Sequence, residues 1–324
     1  MKRAIALAAL CAVLPASEPP NVKVQLGRYI FYDRRMSVNG ATSCASCHRQ
    51  ELAFTDGRAQ AEGATGQLHP RSSMSLVNVA FSSAFNWSDP SVHSLEDQAL
   101  KPMFATSPVE LGLGSIRADF LKLLRADRTY AALFPQAFPK QPDPYTIANA
   151  AKALAAFERT IVSKNSPWDR FHLGDAAAIS ESAKRGEILF FLDGGPSCFR
   201  CHNGPNFTDG EFHNTALYVR YPAPNRGLFE HTGRPADIGR FKTPTVRNIG
   251  LTAPYMHDGS IATLEEVVDH YAAGGRAPAN PTKDKLMRGF PMTPQNRADL
   301  AAFLRSLTDD DLIHNTELAD PWSR

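Results

Sequence analysis

The sequence predicts an all-α fold divided into two domains with long loops. Its 324 residues are more than one hydrophobic core usually organises, so two domains of comparable size are expected. Apolar residues recur at three- and four-residue spacing from Ile116 to Leu124 and from Ile147 to Ile161, which is typical of amphipathic helices. Runs with the alternating pattern of strands are scarce.

The first residues have the pattern of a secretory signal. Two basic residues, Lys2 and Arg3, precede an apolar run over positions 4–14, and small residues follow it. The run is too short for a permanent transmembrane anchor, and the residue before Cys11 is not the small one that lipid attachment needs. We therefore expect a signal peptide over residues 1–19, a periplasmic location and no membrane span.

The composition is that of a globular protein without an affinity for nucleic acid. Hydrophobic residues make up 43% and charged residues 21% of the chain, close to globular averages. Loss of Lys2 and Arg3 with the signal takes the basic count from 35 to 33 against 33 acids, so the mature net charge is about zero. A nucleic-acid surface would need a clustered basic excess, so we expect no such partner.

Apart from Cys11, the cysteines form one short motif that occurs twice. The two copies are Cys44-Ala45-Ser46-Cys47-His48 and Cys198-Phe199-Arg200-Cys201-His202. In such a run the two thiols add to the vinyl groups of a haem and the imidazole binds the iron. Structural zinc would need further ligands at short spacing, and a redox dithiol would not need a histidine after both pairs. The motifs therefore predict two covalent haem c groups, with His48 and His202 as iron ligands.

The remaining elements are predicted helices separated by loops. Pro135, Pro139, Pro142 and Pro144 predict a break between the two central helices, and residues 222–239 predict a long loop rich in Pro and Gly. A last helix is predicted from Thr293 to Leu307. The tail after it carries Trp322, which could pack back on the first domain.

One C-terminal helix has clear end signals. Thr263 can cap its first turn, Glu266 completes a capping box, and Gly274-Gly275 ends it. An apolar stripe lies on one face and consists of Leu264, Val267, Val268 and Tyr271. The pattern therefore points Tyr271 inward.

The paired motifs and several flanking segments resemble the bacterial di-haem cytochrome c peroxidase superfamily over nearly all of the mature chain. Within it, the sequence looks most like the MauG branch, which includes MbnH and oxidises protein side chains. The flanking segments are Phe54 to Gly57, Ser94 to Ala99, Pro108 to Glu110, Thr243 to Asn248 and Pro254 to Ser260. The resemblance implies a peroxidatic haem domain over residues 20–178, an electron-transfer haem domain over residues 179–308 and a tail over residues 309–324.

The resemblance makes the haem on His48 the one that reacts with peroxide. Gln98 and Glu110 match the family's distal residues, and Glu110 would be the general acid and base for cleavage of the O–O bond. From residue type alone, a Glu after Pro-Val is more often a solvated loop or helix-start residue, and the resemblance reverses that preference. Members that need prior reduction carry a distal His, and residues 63–66 contain none, so the resemblance implies a first iron with an open position for peroxide. His69 lies close by, although its neighbours fit a loop-anchoring role better.

Three further assignments follow from the same resemblance. Trp87 matches a Trp between the two haems that shortens an electron path; without that context it would be a core residue. Tyr271 matches the sixth ligand of the second haem in the MauG branch, where other peroxidases have Met. Otherwise Tyr271 is a core residue, and the other candidate ligands are Met256, His257 and Met292.

The family also binds calcium between the haems. The carbonyls of Thr252 and Pro254 would be ligands, and the side chain would come from Ser72, where the family has Asn. A hydroxyl is a poorer calcium ligand than a carboxamide oxygen, so the site is expected to be weakened or completed by water.

The expected function is that of a periplasmic enzyme that uses hydrogen peroxide to form a bis-ferryl state and oxidises a Trp or Tyr of a small secreted protein. The first alternative is a cytochrome c peroxidase that takes electrons from a small cytochrome or cupredoxin. The second is a non-catalytic di-haem electron carrier. Glu110 and Gln98 argue against the second alternative, because a carrier needs no distal acid.

Overall fold

The computed structural model describes residues 21–323, so the expected signal peptide over residues 1–19 lies outside the described part. Within it the chain is almost entirely helix and loop, as expected. The α-helices are α1 Val22–Tyr32, α2 Cys44–Cys47, α3 Leu95–Phe104, α4 Arg117–Ala126, α5 Arg128–Ala137, α6 Ile147–Glu158, α7 Pro167–His172, α8 Glu181–Phe191, α9 Phe229–Thr232, α10 Leu264–Ala272, α11 Pro294–Ser306 and α12 Asp310–His314. The strands β1 Phe212–His213 and β2 Phe241–Lys242 form one short antiparallel pair.

Each half of the chain has its own hydrophobic core, built around one close helix crossing. In the first half α1 crosses α6 at Gly27, where a Cβ atom would overlap with the Ala153 carbonyl. In the second half α8 crosses α11 at Gly186, where a Cβ atom would overlap with the Asp299 carbonyl. The two crossings are equivalent, because Phe157 and Phe303 lie next to the respective glycines.

The predicted helix at Thr263 is confirmed, but two other predicted boundaries are wrong. α10 has the expected capping box between Thr263 and Glu266. Pro135 does not break the chain, because it lies inside α5. The helix near the C-terminus is not the last one, since α12 follows α11. The long loop over residues 222–239 contains the short helix α9.

The C-terminal tail packs against the first half of the chain. The Trp322 indole donates a hydrogen bond to the Tyr29 carbonyl (3.0 Å), and its ring packs edge-on against Tyr29 and Tyr130. Leu312 and Leu318 are buried in the N-terminal core. No helix between residues 21 and 323 is long and apolar enough to cross a membrane.

Candidate functional site

Both C-x-x-C-H motifs lie on single turns that bring the two thiols and the imidazole together. Cys44 to Cys47 form α2, and the His48 amide donates to the Cys44 carbonyl (2.9 Å). The His202 amide donates to the Cys198 carbonyl over the same distance. None of the four thiols between residues 21 and 323 is in a disulfide. Burial raises the pKa of Cys47 and Cys198 to about 12, so they are neutral thiols available for thioether formation.

The two imidazoles are held in the orientation that an iron ligand needs. Nδ1 of His48 lies 2.9 Å from the Phe54 carbonyl, and Nδ1 of His202 lies 3.2 Å from the Phe207 carbonyl. A carbonyl only accepts, so Nδ1 carries the proton and Nε2 keeps its lone pair for iron. Burial lowers the pKa of both rings, which favours the neutral, metal-binding form.

The carbonyls that orient these imidazoles come from strained backbone. Phe54 has a φ of 61° and Phe207 a φ of 49°, in the left-handed region that non-glycine residues rarely adopt. The same unusual conformation after both motifs points to a shared requirement: the carbonyl must turn back toward the imidazole.

The N-terminal cavity brings together the residues expected around the peroxide-reactive haem. Cys44, Cys47 and His48 line it, and so do Gln98 and Glu110. Removal from water raises the pKa of Glu110, as required of a group that both takes and returns a proton near neutral pH. The volume of this cavity is about 60 Å³.

His69 also lines the N-terminal cavity. Its Nδ1 accepts a hydrogen bond from the Arg71 amide (3.2 Å), as the loop-anchoring role predicts, and burial lowers its pKa. The loop before it is held tightly, because a Cβ on Gly63 would overlap with the Val109 carbonyl next to Glu110. The expectation that the first iron has an open position therefore stays a prediction.

The C-terminal cavity is larger, about 580 Å³, within the range of cofactor sites. Cys198, Cys201 and His202 line it. Three of the four candidate sixth ligands line it too, namely Tyr271, Met256 and His257. Met292 packs against the core but is not among the lining residues, so its position favours it least.

Tyr271 and His257 differ in how their polar atoms are placed. Burial raises the pKa of the Tyr271 phenol, and within residues 21–323 its hydroxyl forms no hydrogen bond. The His257 ring stacks on Phe241 with centroids 3.6 Å apart, and burial lowers its pKa to about 4. The His257 ring is thus held flat against another ring, and its Nε2, like the Tyr271 hydroxyl, has no hydrogen-bond partner among residues 21–323.

Trp87 forms hydrogen bonds with chain segments that lead to the two cavities. Its indole donates to the Ser72 carbonyl (2.9 Å), and its own carbonyl accepts from the Lys242 amide (2.8 Å). The ring lines the C-terminal cavity, and the chain that follows Ser72 reaches the N-terminal cavity at Leu76. The role of Trp87 as a bridge between the haems stays a prediction.

Ser72, the expected side-chain ligand for calcium, contacts the chain segment that follows Thr252 and Pro254. The Ser72 hydroxyl lies 3.2 Å from the Met256 carbonyl, and its amide donates to the His257 carbonyl (2.9 Å). Calcium binding stays a prediction.

Two buried charged residues at the cavities were missed from the sequence. Glu158 lines the N-terminal cavity and Lys242 the C-terminal one. The signal for Glu158 was available: it follows Leu154 by four positions and therefore lies on the buried face of α6. Lys242 lies in a two-residue strand without a pattern, so no sequence signal pointed to it.

Comparisons with known proteins agree with this geometry. A family model described as di-haem cytochrome c peroxidase matches residues 21–177, and a cytochrome c model matches residues 183–308. The methylamine utilization protein MauG of Methylorubrum extorquens is 38% identical over 285 residues, which cover 88% of this chain and 78% of that protein. The cytochrome-c peroxidase IdrP1 of Denitromonas iodatirespirans is 36% identical, over 93% of this chain and 86% of its own.

Solved structures are similar over the whole described fold. The crystal structure of a MauG-like protein associated with microbial copper homeostasis has a TM-score of 0.90 and 40% identity, and covers 97% of this chain and 100% of its own. The diheme peroxidase BthA of Burkholderia thailandensis, at 22% identity and a TM-score of 0.75, shares the fold. Together with the two attachment motifs, these matches show that the chain is an oxidoreductase of the di-haem cytochrome c peroxidase and MauG family.

Proposed function

We propose that this protein uses hydrogen peroxide to oxidise an aromatic side chain of a partner protein in the periplasm. The observation that carries the proposal is the Tyr271 hydroxyl, which lines the C-terminal cavity without a hydrogen-bond partner among residues 21–323. A phenol oxygen bound to that iron would exclude peroxide from it and favour its oxidised states. The C-terminal site would then serve as a store of oxidising equivalents.

When bound, the two haems supply the two-electron reduction of peroxide and hold the resulting oxidising equivalents. Glu110 takes the proton from one peroxide oxygen at its carboxylate and returns it to the other, and its raised pKa fits this exchange. The Gln98 amide, on the same cavity wall, donates a hydrogen bond to the bound oxidant. Trp87 provides the aromatic bridge between the two sites.

Trp168 is the better of two candidate tryptophans for contact with a partner. It is only partly buried, its indole donates to Glu187 (2.7 Å), and its ring packs against Phe207 with centroids 4.9 Å apart. Phe207 supplies the carbonyl that orients His202. Trp322 is also partly buried, but its ring packs against Tyr29 and Tyr130 of the N-terminal half and not against a residue that orients His202.

The second candidate function is that of a cytochrome c peroxidase, which would take electrons from a small cytochrome or cupredoxin and release water. The similarity to IdrP1 and the presence of Met256 in the same cavity as Tyr271 favour this alternative. The similarity to MauG and to the MauG-like structure favours protein oxidation. The identity of the sixth ligand separates the two.

The test is a set of absorption and electron paramagnetic resonance spectra of the as-isolated ferric protein, before and after stoichiometric peroxide. We expect one high-spin and one low-spin haem, and a near-infrared band after peroxide without prior reduction. In Tyr271→Met and Tyr271→Phe, the low-spin signal should change and the near-infrared band should be lost. A requirement for half-reduction in the unmodified protein would instead support the cytochrome c peroxidase.

The matched control is Tyr255→Phe. Tyr255 lines the same cavity, but its hydroxyl donates to the Ile249 carbonyl (3.1 Å) and is not free. Its removal should leave both haem signals unchanged. If Tyr271→Phe also leaves the low-spin signal unchanged, the phenol is not the ligand and the protein-oxidising proposal fails.

A further inference from the structure

Lys242 is a buried cation that faces the C-terminal cavity. It is 5% exposed, lies in β2 opposite Phe212 of β1, and is one of the residues that line the cavity. Within residues 21–323 its ammonium group forms no hydrogen bond and no salt bridge. Burial lowers its pKa to about 8, because the charged form loses its hydration without gaining a counter-ion.

The nearest acid is already engaged. Asp209 is the residue whose charge favours the protonated form of Lys242. Its carboxylate, however, binds Nε2 of His213 at 2.9 Å, and Nδ1 of His213 binds Asp284 at 2.6 Å. A buried, unpaired ammonium costs several kcal/mol of stability. The Lys242 ammonium therefore needs an acidic partner, and that partner has to come from a group bound in the cavity.

Other cations that line this cavity are exposed or already have acidic partners. Arg200 is exposed and paired with Asp193 at 2.6 Å, and His213 lies between its two carboxylates. Arg288 is exposed and donates to the Lys285 carbonyl. Among these residues, Lys242 is thus the buried cation that is available to bind an acidic group in the cavity.

The cofactor that Cys198 and Cys201 hold carries such groups. A haem has two propionate carboxylates in addition to the vinyl groups used by the thioethers, and a carboxylate is the natural partner of an ammonium in a site of low polarity. We propose that the Lys242 ammonium binds a propionate of the C-terminal haem. Since the Lys242 amide also donates to the Trp87 carbonyl, the same residue links the cofactor to the bridge.

The N-terminal site has no counterpart of this lysine. Asn78 and Asn248 are equivalent, because both have a φ of 58° and each donates its backbone amide to a carbonyl just after the second helix of its crossing, α6 or α11. Counting back six residues from each pairs Ser72 with Lys242. The proposed ion pair places a positive charge beside the C-terminal haem, which favours the reduced state of that haem over its oxidised state.

The test compares Lys242→Gln and Lys242→Arg with the unmodified holoprotein. The readouts are haem content, the reduction potential of each haem by spectroelectrochemistry, and the propionate-bending bands in resonance Raman spectra. In Lys242→Gln we expect the C-terminal potential to shift downward and one propionate band to move, with the N-terminal potential unchanged. In Lys242→Arg, which keeps the charge, the potential should return toward its original value.

Lys283→Gln is the control, because that lysine lies in the same half of the chain and donates to the Gly274 carbonyl. It should change neither potential nor propionate band. If Lys242→Gln holds both haems with unaltered potentials and bands, the proposal is wrong. If Lys242→Gln fails to acquire its haem, Lys242→Arg decides: a shifted propionate band supports the ion pair, and an unshifted band overturns it.

Discussion

Glu158 faces the N-terminal cavity from a position at which the other half of the chain has an apolar residue. The equivalent helix crossings pair Phe157 with Phe303, and therefore Glu158 with Leu304. Both members of the second pair line their cavities. Oε2 of Glu158 is buried without a hydrogen-bond partner among residues 21–323. The N-terminal haem site thus has the Glu158 carboxyl group where the C-terminal site has the apolar side chain of Leu304.

This carboxyl group should make stability depend on pH. Burial raises the pKa of Glu158 from its usual value near 4.5 to about 8 in the folded protein. Between these two values the unfolded chain loses the proton and the folded chain keeps it, so stability falls as the pH rises from about 4.5 to about 8. Over that range we expect the free energy of unfolding to fall by an amount on the order of a few kcal/mol, and we expect Glu158→Gln to abolish this fall.

Urea unfolding of the holoprotein at pH 5 and pH 8, followed by circular dichroism, measures this difference. Glu181→Gln is the control, because Glu181 is exposed on α8. Its substitution should leave the pH dependence intact. An equal dependence in the unmodified protein and in Glu158→Gln would show that Glu158 does not stay protonated in the folded state.

At the scale of elements, each half of the molecule depends on one close approach of two helices. Gly27 and Gly186 have no free space for a methyl group, because carbonyls of α6 and α11 occupy it. Glycine normally weakens a helix interior by about 1 kcal/mol relative to alanine. At these two positions the crossing outweighs that propensity.

Gly186→Ala should therefore destabilise the protein, although alanine is the better helix former. The added Cβ would overlap with the Asp299 carbonyl, and overpacking of this kind typically costs about 1–3 kcal/mol. Thermal unfolding measures the change. Gly114→Ala is the control, because the nearest atom to its Cβ would be a Phe104 ring carbon at 3.9 Å. A rise in melting temperature for Gly186→Ala would contradict the tight crossing.

The elements show where sequence reasoning succeeds and where it fails. The capping box at Thr263 is local chemistry, so the start of α10 could be predicted. Pro135 predicted a break but lies inside α5, since the Ala131 carbonyl that its missing N–H leaves free accepts the Tyr145 hydroxyl (3.2 Å). That partner comes from beyond the expected break, and no local pattern reveals it.

The residues of the candidate sites also divide into those that the sequence could predict and those that it could not. The thiols and imidazoles were predictable because attachment chemistry fixes their spacing, and the apolar stripe of α10 correctly pointed Tyr271 inward. Gln98 and Glu110 line the N-terminal cavity, but they could be predicted only from the family resemblance, because neither has a local sequence signal of its own. The lack of a partner for Lys242 depends on how Asp209 is shared, which only three-dimensional contacts show.

At the scale of the whole molecule, one buried serine contacts the same structural position in both halves. The Ser163 amide donates to Oδ1 of Asn78 (2.8 Å), and the Ser163 hydroxyl donates to Oδ1 of Asn248 (2.9 Å). These asparagines are the equivalent left-handed residues of the two halves. The connection between the halves thus uses the same structural position twice, once through backbone and once through a side chain.

Ser163→Ala should destabilise the segment around Asn248 and leave the segment around Asn78 unchanged. The substitution removes the hydroxyl but keeps the amide, so Asn78 retains its bond while Oδ1 of Asn248 keeps only the longer contact from the Asp309 amide (3.4 Å). Loss of one buried hydrogen bond costs about 1–3 kcal/mol. Local opening should therefore become more frequent around Asn248, and hydrogen exchange measured by mass spectrometry should rise over residues 245–251 but not over α1. Ser115→Ala removes an exposed hydroxyl and should leave exchange in both segments unchanged. If Ser163→Ala gives uniform exchange increases in both halves, the hydroxyl stabilises the molecule as a whole and is not a specific link to Asn248.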